Sequence, residues 1–112
     1  MKLPDAERAV IDREKIVDYL LDAAHPGNGW KAAFFLALGY SRDDWPSLAA
    51  ALHRLAVEAE IVGSMETVHG IKYVRDGRMK TPSGNSPVVR TIWIVDRGSD
   101  RPRLVTAYRR DE

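Results

Sequence analysis

The apolar positions change period once along the chain. Before residue 60 they recur at spacings of three and four, as on one face of a helix; after it they alternate, as in strands. Asp12 is placed to cap a helix beginning at Arg13, with Ile16, Val17, Leu20 and Ala23 as its inward stripe. That helix is predicted to end near His25-Pro26, because the residue before a proline is pushed out of the helical region. Trp30 to Leu38 predicts a second, short helix with Gly39 as its left-handed cap; being apolar almost all round, it is expected at the buried centre of the helical layer. Ser41 to Asp44 caps a third helix running to about Glu58, with Pro46 tolerated in its first turn and Leu48, Leu52, Leu55 and Ala59 facing inward.

Four strand-length segments follow: Ile61 to Val68, Ile71 to about Lys80, Val88 to Val95 and Arg103 to Arg109. The separators are turn chemistry: His69-Gly70, then Thr81-Pro82-Ser83-Gly84-Asn85, then Asp96 to Pro102. Short connections favour antiparallel neighbours, and helices that precede strands favour segregated layers. The expected fold is α+β, three N-terminal helices packed on a four-stranded antiparallel β-meander. A length of 112 residues fits one domain, 1–112, with a helical part at about 12–59 and a sheet part at about 61–109.

Composition adds two constraints. With no cysteine, disulfides, thiolate zinc sites, iron–sulfur centres and cysteine nucleophiles are excluded. The 17 Lys+Arg nearly balance 16 Asp+Glu, but unevenly: residues 1–62 hold 7 basic and 10 acidic side chains, a balance of −3, and residues 63–112 hold 10 and 6, a balance of +4. A basic sheet half is either a solvated face or an attraction for an anionic partner such as phosphate. No apolar run is long enough to cross a bilayer and no leader pattern opens the sequence, so no membrane partner and a cytoplasmic location are expected.

Without HExxH, CxxC or a calcium loop, no metal or other cofactor is expected, and Asp43-Asp44 reads as helix capping. Gly27 and Gly29 follow a helix instead of a strand, a poor match to a nucleotide loop. The remaining chemistry belongs to His, Lys, Arg and hydroxyl groups. His53 falls on a helix surface and His69 in a turn; His25 sits at a helix end, either as an ordinary cap or as an acid–base group, with Lys31 nearby in sequence. On the strands lie Lys72, Tyr73, Arg90, Thr91, Arg103, Thr106 and Tyr108. Alternation puts Thr106 and Tyr108 on one face with Leu104, and Arg103, Val105 and Ala107 on the other. Two hydroxyls about 7 Å apart suit a phosphate and its ribose, or else form a cross-strand packing pair.

The string His25-Pro26, Gly29, Lys31-Ala32, Phe35 and Leu38-Gly39-Tyr40, then Gly70, Lys72-Tyr73, Thr81-Pro82-Ser83-Gly84, Arg90-Thr91, Trp93-Ile94 and Pro102 through Tyr108, resembles an uncharacterised bacterial domain family. Its members occur as small stand-alone proteins beside another small protein and as C-terminal domains of polymorphic toxins. The order of elements and the closing Thr-Ala-Tyr also resemble the barnase, EndoU, colicin and RelE-like ribonuclease superfamily. That resemblance implies a toxin-type, metal-independent RNA endonuclease acting by 2'-hydroxyl attack, with RNA, tRNA among the candidates, as substrate and a cognate antitoxin or immunity protein as partner. It implies His25 as base or acid, Lys31 and Lys72 as phosphate-stabilising cations, Thr106 and Tyr108 as phosphate and ribose contacts, and Arg90, Thr91, Arg103 and Arg109 as substrate-binding residues. The chain departs from the pattern at His69, where relatives often carry Tyr, and at Arg109-Arg110, where a proline usually follows. The alternative is a non-catalytic interaction module, such as the antitoxin or immunity member of a pair.

Overall fold

The computed structural model describes residues 3–27, 29–58 and 60–110. After a 3-10 turn at Ala6–Arg8 come three helices: α1, an α-helical turn at Arg13–Lys15 that continues as a π-helix over Ile16–Leu20, then α2 (Gly29–Ala37) and α3 (Trp45–Glu58). Four strands complete an α+β fold: β1 (Glu60–Glu66), β2 (Gly70–Arg78), β3 (Val88–Asp96) and β4 (Pro102–Arg109), hydrogen-bonded antiparallel in the order β1-β2-β3-β4.

The α3 stripe is as the spacing predicts. Leu48, Leu52 and Leu55 are buried, with Ala56 beside them; Ala59 lies outside the described residues. At its start Ser47 Oγ donates to Asp44 Oδ2 at 2.7 Å, and the Asp44 amide donates to Ser41 Oγ at 3.2 Å. Its last turn receives the buried Arg75 guanidinium, which donates to the Ala56 carbonyl. A cation there meets the negative end of the helix dipole, although burial pulls the Arg75 pKa down despite the charge of Glu60.

Two helical expectations are corrected. The first helix ends at Leu20, five residues before His25, with Leu21 as its cap: the Leu21 amide reaches back five residues to the Ile16 carbonyl at 2.8 Å. Ala23 is therefore exposed, while Leu21 joins Ile16, Val17 and Leu20 in burial. The wider π turn rotates the later residues out of α-helical phase, a change that apolar spacing alone does not signal. The second helix buries one face only. Ala32, Phe35 and Leu38 are inside, whereas Trp30, Ala33, Leu36 and Ala37 are exposed.

The core lies between α3 and one face of the sheet, where Trp93, Val89, Leu104 and Ala107 meet Leu48, Leu52, Leu55 and Phe35. Each such large apolar side chain stabilises the fold by about 1.5–3 kcal/mol. Trp93 is fully buried, and its indole N–H donates to Thr91 Oγ1 at 2.9 Å, so the ring brings no unpaired donor into the core.

Strict alternation along β4 fails at one point. Trp93 pairs with Leu104 but Ile92 pairs with Thr106, so Val105 is an extra residue. The bulge puts Leu104 and Ala107 together in the core and turns Thr106 and Tyr108 to the opposite face. Leu104 thus does not share their face, as uninterrupted alternation predicts. The outer edge of β4 is covered at its start by Val10, whose amide donates to the Pro102 carbonyl at 2.8 Å and whose carbonyl accepts from the Leu104 amide at 3.0 Å.

The end of α2 is a Schellman cap, with the Tyr40 amide to the Phe35 carbonyl and the Gly39 amide to the Leu36 carbonyl. Gly39 has φ +99°, and a Cβ there would lie 2.9 Å from Pro82 Cβ in the β2–β3 connection. We expect Gly39→Ala to destabilise the protein by about 1–3 kcal/mol, seen as a lower urea midpoint with an unchanged slope. An unchanged midpoint would show that this contact does not hold the end of α2.

Candidate functional site

The site forms where α1 and the first turn of α2 meet β4. Lys31, in that first turn, sends its ammonium to Tyr19 Oη and Thr106 Oγ1, both at 3.0 Å, and those oxygens stand 3.4 Å apart. Three rings surround the cation: its nitrogen lies 5.2 Å from the centroid of Tyr19, 5.4 Å from Trp30 and 5.5 Å from Tyr108. All are within cation–π range, which offsets part of the cost of taking an ammonium from water. Lys15 lies 4.8 Å from the other ring contact, the centroid of Tyr19. Each oxygen is placed by a local irregularity, Tyr19 by the π turn and Thr106 by the bulge at Val105.

His25 borders this cluster. Its ring meets the Tyr19 ring edge-on, centroids 5.3 Å apart at 87°. Nδ1 lies 2.8 Å from the Pro26 carbonyl oxygen, which can only accept, so Nδ1 carries a proton and Nε2 of the neutral ring keeps its lone pair. On the opposite flank Tyr108 contacts Trp30, centroids 6.1 Å apart, and pairs across the ladder with Arg90. Arg90 grips Asp76 bidentately at 2.8 and 3.0 Å, while Arg110 reaches the same carboxylate at 3.1 Å. The Asp76 hydrogen bond holds the Arg90 pKa above its usual range against the effect of burial, and Asp76's charge and the Tyr108 hydroxyl add to it. One carboxylate between two guanidiniums leaves this rim positive.

Hydrogen-bond inventory defines what the cluster can do. An ammonium has three donors and no acceptor, and two are spent on Tyr19 and Thr106. Both hydroxyls therefore already accept, and only one of their own protons can go to the other oxygen. The third ammonium proton is the donor these bonds leave for an incoming acceptor, which suits the cluster to an anionic oxygen. Among the described residues, no three His, Asp or Glu side chains gather to hold a metal ion.

Of the residues nominated from sequence, His25, Lys31, Thr106 and Tyr108 come together and Arg90 lies at their rim. Lys72 shares the sheet face of Thr106 but sits two strands away, roughly 10 Å at ordinary strand spacing, and outside the hydrogen-bonded group. Thr91 is buried on the core face beneath Trp93, and Arg103 is committed to Asp96 at 2.7 and 3.1 Å. Arg109 pairs with Val89, on the face opposite Tyr108. Sequence reasoning missed Tyr19 and Asp76 and assigned Trp30 to packing. The available signal for Trp30 was its position beside Lys31 at the start of a helix. A groove of about 480 Å3, lined by residues including Tyr40, Arg54, Met79 and Lys80, contains none of these groups.

A family model described as "Domain of unknown function (DUF6883)" matches residues 2–111. No curated protein matches the chain. Among solved structures, the chain is similar to one from a contact-dependent growth inhibition toxin–immunity protein complex of Klebsiella pneumoniae 342, at 21% identity and a TM-score of 0.74, over 90% of this chain and 99% of that one. Likeness at this identity establishes a shared fold. Among the described residues, no helix is long and apolar enough to cross a membrane.

Burial pushes the Tyr19 phenol up, but hydrogen bonds with Lys31 and Thr106 and the charges of Lys31 and Lys15 together outweigh it, and the net direction is down. Burial alone raises Tyr40. A depressed folded value adds stability only above the unfolded value near 10, and that stability disappears as pH falls through the folded value. In an ultraviolet phenolate titration we expect one tyrosine to ionise early and Tyr40 late, with the early step moving upward in Lys31→Met. An early step that persists in Lys31→Met would assign it to another tyrosine.

Proposed function

Because the chain belongs to the DUF6883 family, a domain of unknown function, membership assigns no activity, and we propose from the site itself that it is a toxin-type, metal-independent RNA endonuclease. The observation that carries this reading is the gathering of His25, Thr106 and Tyr108 about the Lys31 ammonium, whose third donor is not spent on Tyr19 or Thr106 and suits an anionic oxygen. The resemblance of the sequence to the barnase, EndoU, colicin and RelE-like ribonucleases supports it further. So does the fold shared with a chain from a toxin–immunity complex, which also motivates a cognate immunity or antitoxin partner.

The reaction follows from the groups present. His25 Nε2 takes the proton of a ribose 2'-hydroxyl, whose oxygen attacks the adjacent phosphorus. The phosphorane's added charge falls on oxygens bound by Lys31, with Thr106 beside it. The bond from phosphorus to the 5' oxygen breaks, and Tyr108 supplies the proton that oxygen needs, leaving a 2',3'-cyclic phosphate and a 5'-hydroxyl. His25 abuts Tyr19 and Tyr108 abuts Trp30, with the Lys31 ammonium common to both groups. The base and the acid thus work on one phosphate from different neighbours.

A second reading, a non-catalytic immunity or antitoxin partner, draws on the exposed apolar side chains along and beyond β1: Val62, Met65 and Val68 are 55%, 65% and 80% accessible. Such a run suits a protein contact. A toxin also needs a surface for its immunity partner, so the run does not displace the nuclease reading.

Purified protein is expected to cleave RNA in the presence of EDTA to cyclic-phosphate ends. His25→Ala should lose about 10²–10⁴-fold in rate and Lys31→Met about 10²–10³-fold, with circular dichroism unchanged. Induction in a host lacking the partner should arrest growth. Intact RNA at high protein concentration, together with harmless induction that rescues cells from a neighbouring gene's product, would instead establish the partner role.

A further inference from the structure

Trp30 is the residue that the cleavage scheme leaves without a task. It is 59% exposed although it is the second residue of α2, the helix that places Ala32 and Phe35 in the core. An indole left in water forgoes the burial that places most tryptophans inside, and it contributes nothing here to the packing between α3 and the sheet. Its ring is nonetheless held. Lys31 Nζ lies 5.4 Å from its centroid, and Tyr108 meets it at 61°. Contacts of this kind fix the orientation of the ring while most of its surface stays open to solvent.

The neighbouring chemistry indicates what the surface is for. The donor left for an anionic oxygen, after those given to Tyr19 and Thr106, belongs to Lys31, the next residue along the chain, and the rim from Tyr108 to Arg90 and Arg110 is positive. Lys15, Tyr19, Lys31, Trp30, Tyr108 and Arg90 intersperse cations with rings around the site. That arrangement suits single-stranded nucleic acid, in which cations meet the backbone and rings stack on bases. A base in an intact A-form duplex is stacked on both faces and presents only its edge, so it has no face to offer an indole.

Resting on the nuclease reading, we propose that Trp30 is a stacking platform for an unpaired nucleobase adjoining the phosphate held by Lys31, and that this platform selects single-stranded RNA or loops over duplex. Stacking needs no base edge, so the subsite tolerates any of the four bases. It is a binding residue, and its contribution is realised in substrate affinity.

Two measurements test this with the full chain. The first is steady-state cleavage of a single-stranded oligoribonucleotide. Trp30→Ala should raise KM by roughly 5- to 100-fold, the range that loss of one stacked base gives, with kcat within about threefold, and Trp30→Phe should recover most of the loss. The same sequence in a duplex should be cleaved poorly by the unaltered protein. If Trp30→Ala lowers kcat with KM unchanged, the ring merely positions Lys31 and the platform is overturned. Equal cleavage of single strand and duplex overturns it too, and both results leave the nuclease reading intact.

The second measurement uses an oligonucleotide methylated at every 2'-oxygen, which has no nucleophile and reports binding alone. It should quench indole fluorescence in the unaltered protein and not in Trp30→Phe, where only Trp45 and Trp93 remain. This arm decides even if no RNA is cut. Quenching without cleavage supports the platform while removing the nuclease reading, and absence of quenching removes the platform.

Discussion

A half-buried ammonium has to be satisfied, and the local architecture around Lys31 is arranged to do so. An unpaired charge withdrawn from water costs several kcal/mol, yet among the described residues this one is compensated without a carboxylate: two hydroxyl oxygens at 3.0 Å and three aromatic rings replace part of its hydration. The partners come from α1, α2 and β4, so the same interaction ties the helical layer to the last strand. A carboxylate in the same place would neutralise the charge. Hydroxyls and rings leave it positive, and the proposed anionic substrate would meet that residual charge.

Each partner owes its place to a departure from regular structure. The π turn over Ile16–Leu20 sets the phase of Tyr19, and the extra residue Val105 turns Thr106 away from the core that holds Leu104 and Ala107. Lys31 follows from α2, anchored by Phe35 on its inner face and by the Schellman cap that rests against Pro82. Removing either irregularity moves one hydroxyl to another face and leaves the ammonium partly unsatisfied. These local deviations therefore belong to the site as much as the side chains do.

This division explains what the sequence made legible. The stripe on α3, the glycine cap of α2, the turn residues and the meander all follow from local periodicity and turn chemistry, which a few consecutive residues specify. The π turn and the bulge are settled by contacts between segments far apart in sequence, so helical and alternating patterns ran straight through them and misplaced Ala23 and Leu104. Chemistry and family resemblance singled out His25, Lys31, Thr106 and Tyr108, which share the cluster. Tyr19 and Trp30 were missed because an aromatic residue in a helix reads as packing until the surrounding cation is seen. Thr91 went astray because its hydroxyl serves the indole of Trp93 inside the core, and Arg103 because Asp96 occupies its guanidinium.

The charge asymmetry between the two halves of the chain also changes meaning in three dimensions. Several cations of the basic half are paired: Arg103 with Asp96, and Arg90 and Arg110 with the one carboxylate of Asp76. The cations closest to Tyr19 are Lys15 and Lys31, from the acidic half. The field at the site is therefore local, set by which charges lack a carboxylate. Within it, Lys31 presents a donor, while the Pro26 carbonyl fixes the His25 proton on Nδ1 and leaves Nε2 as an acceptor at the border. An acceptor beside a donor gives the site a direction: in the proposed reaction a substrate proton moves toward His25, and the negative charge it leaves behind is drawn toward Lys31. A nucleotide, with an ionisable hydroxyl next to a phosphate, is the ligand whose reactivity such a polarity would promote.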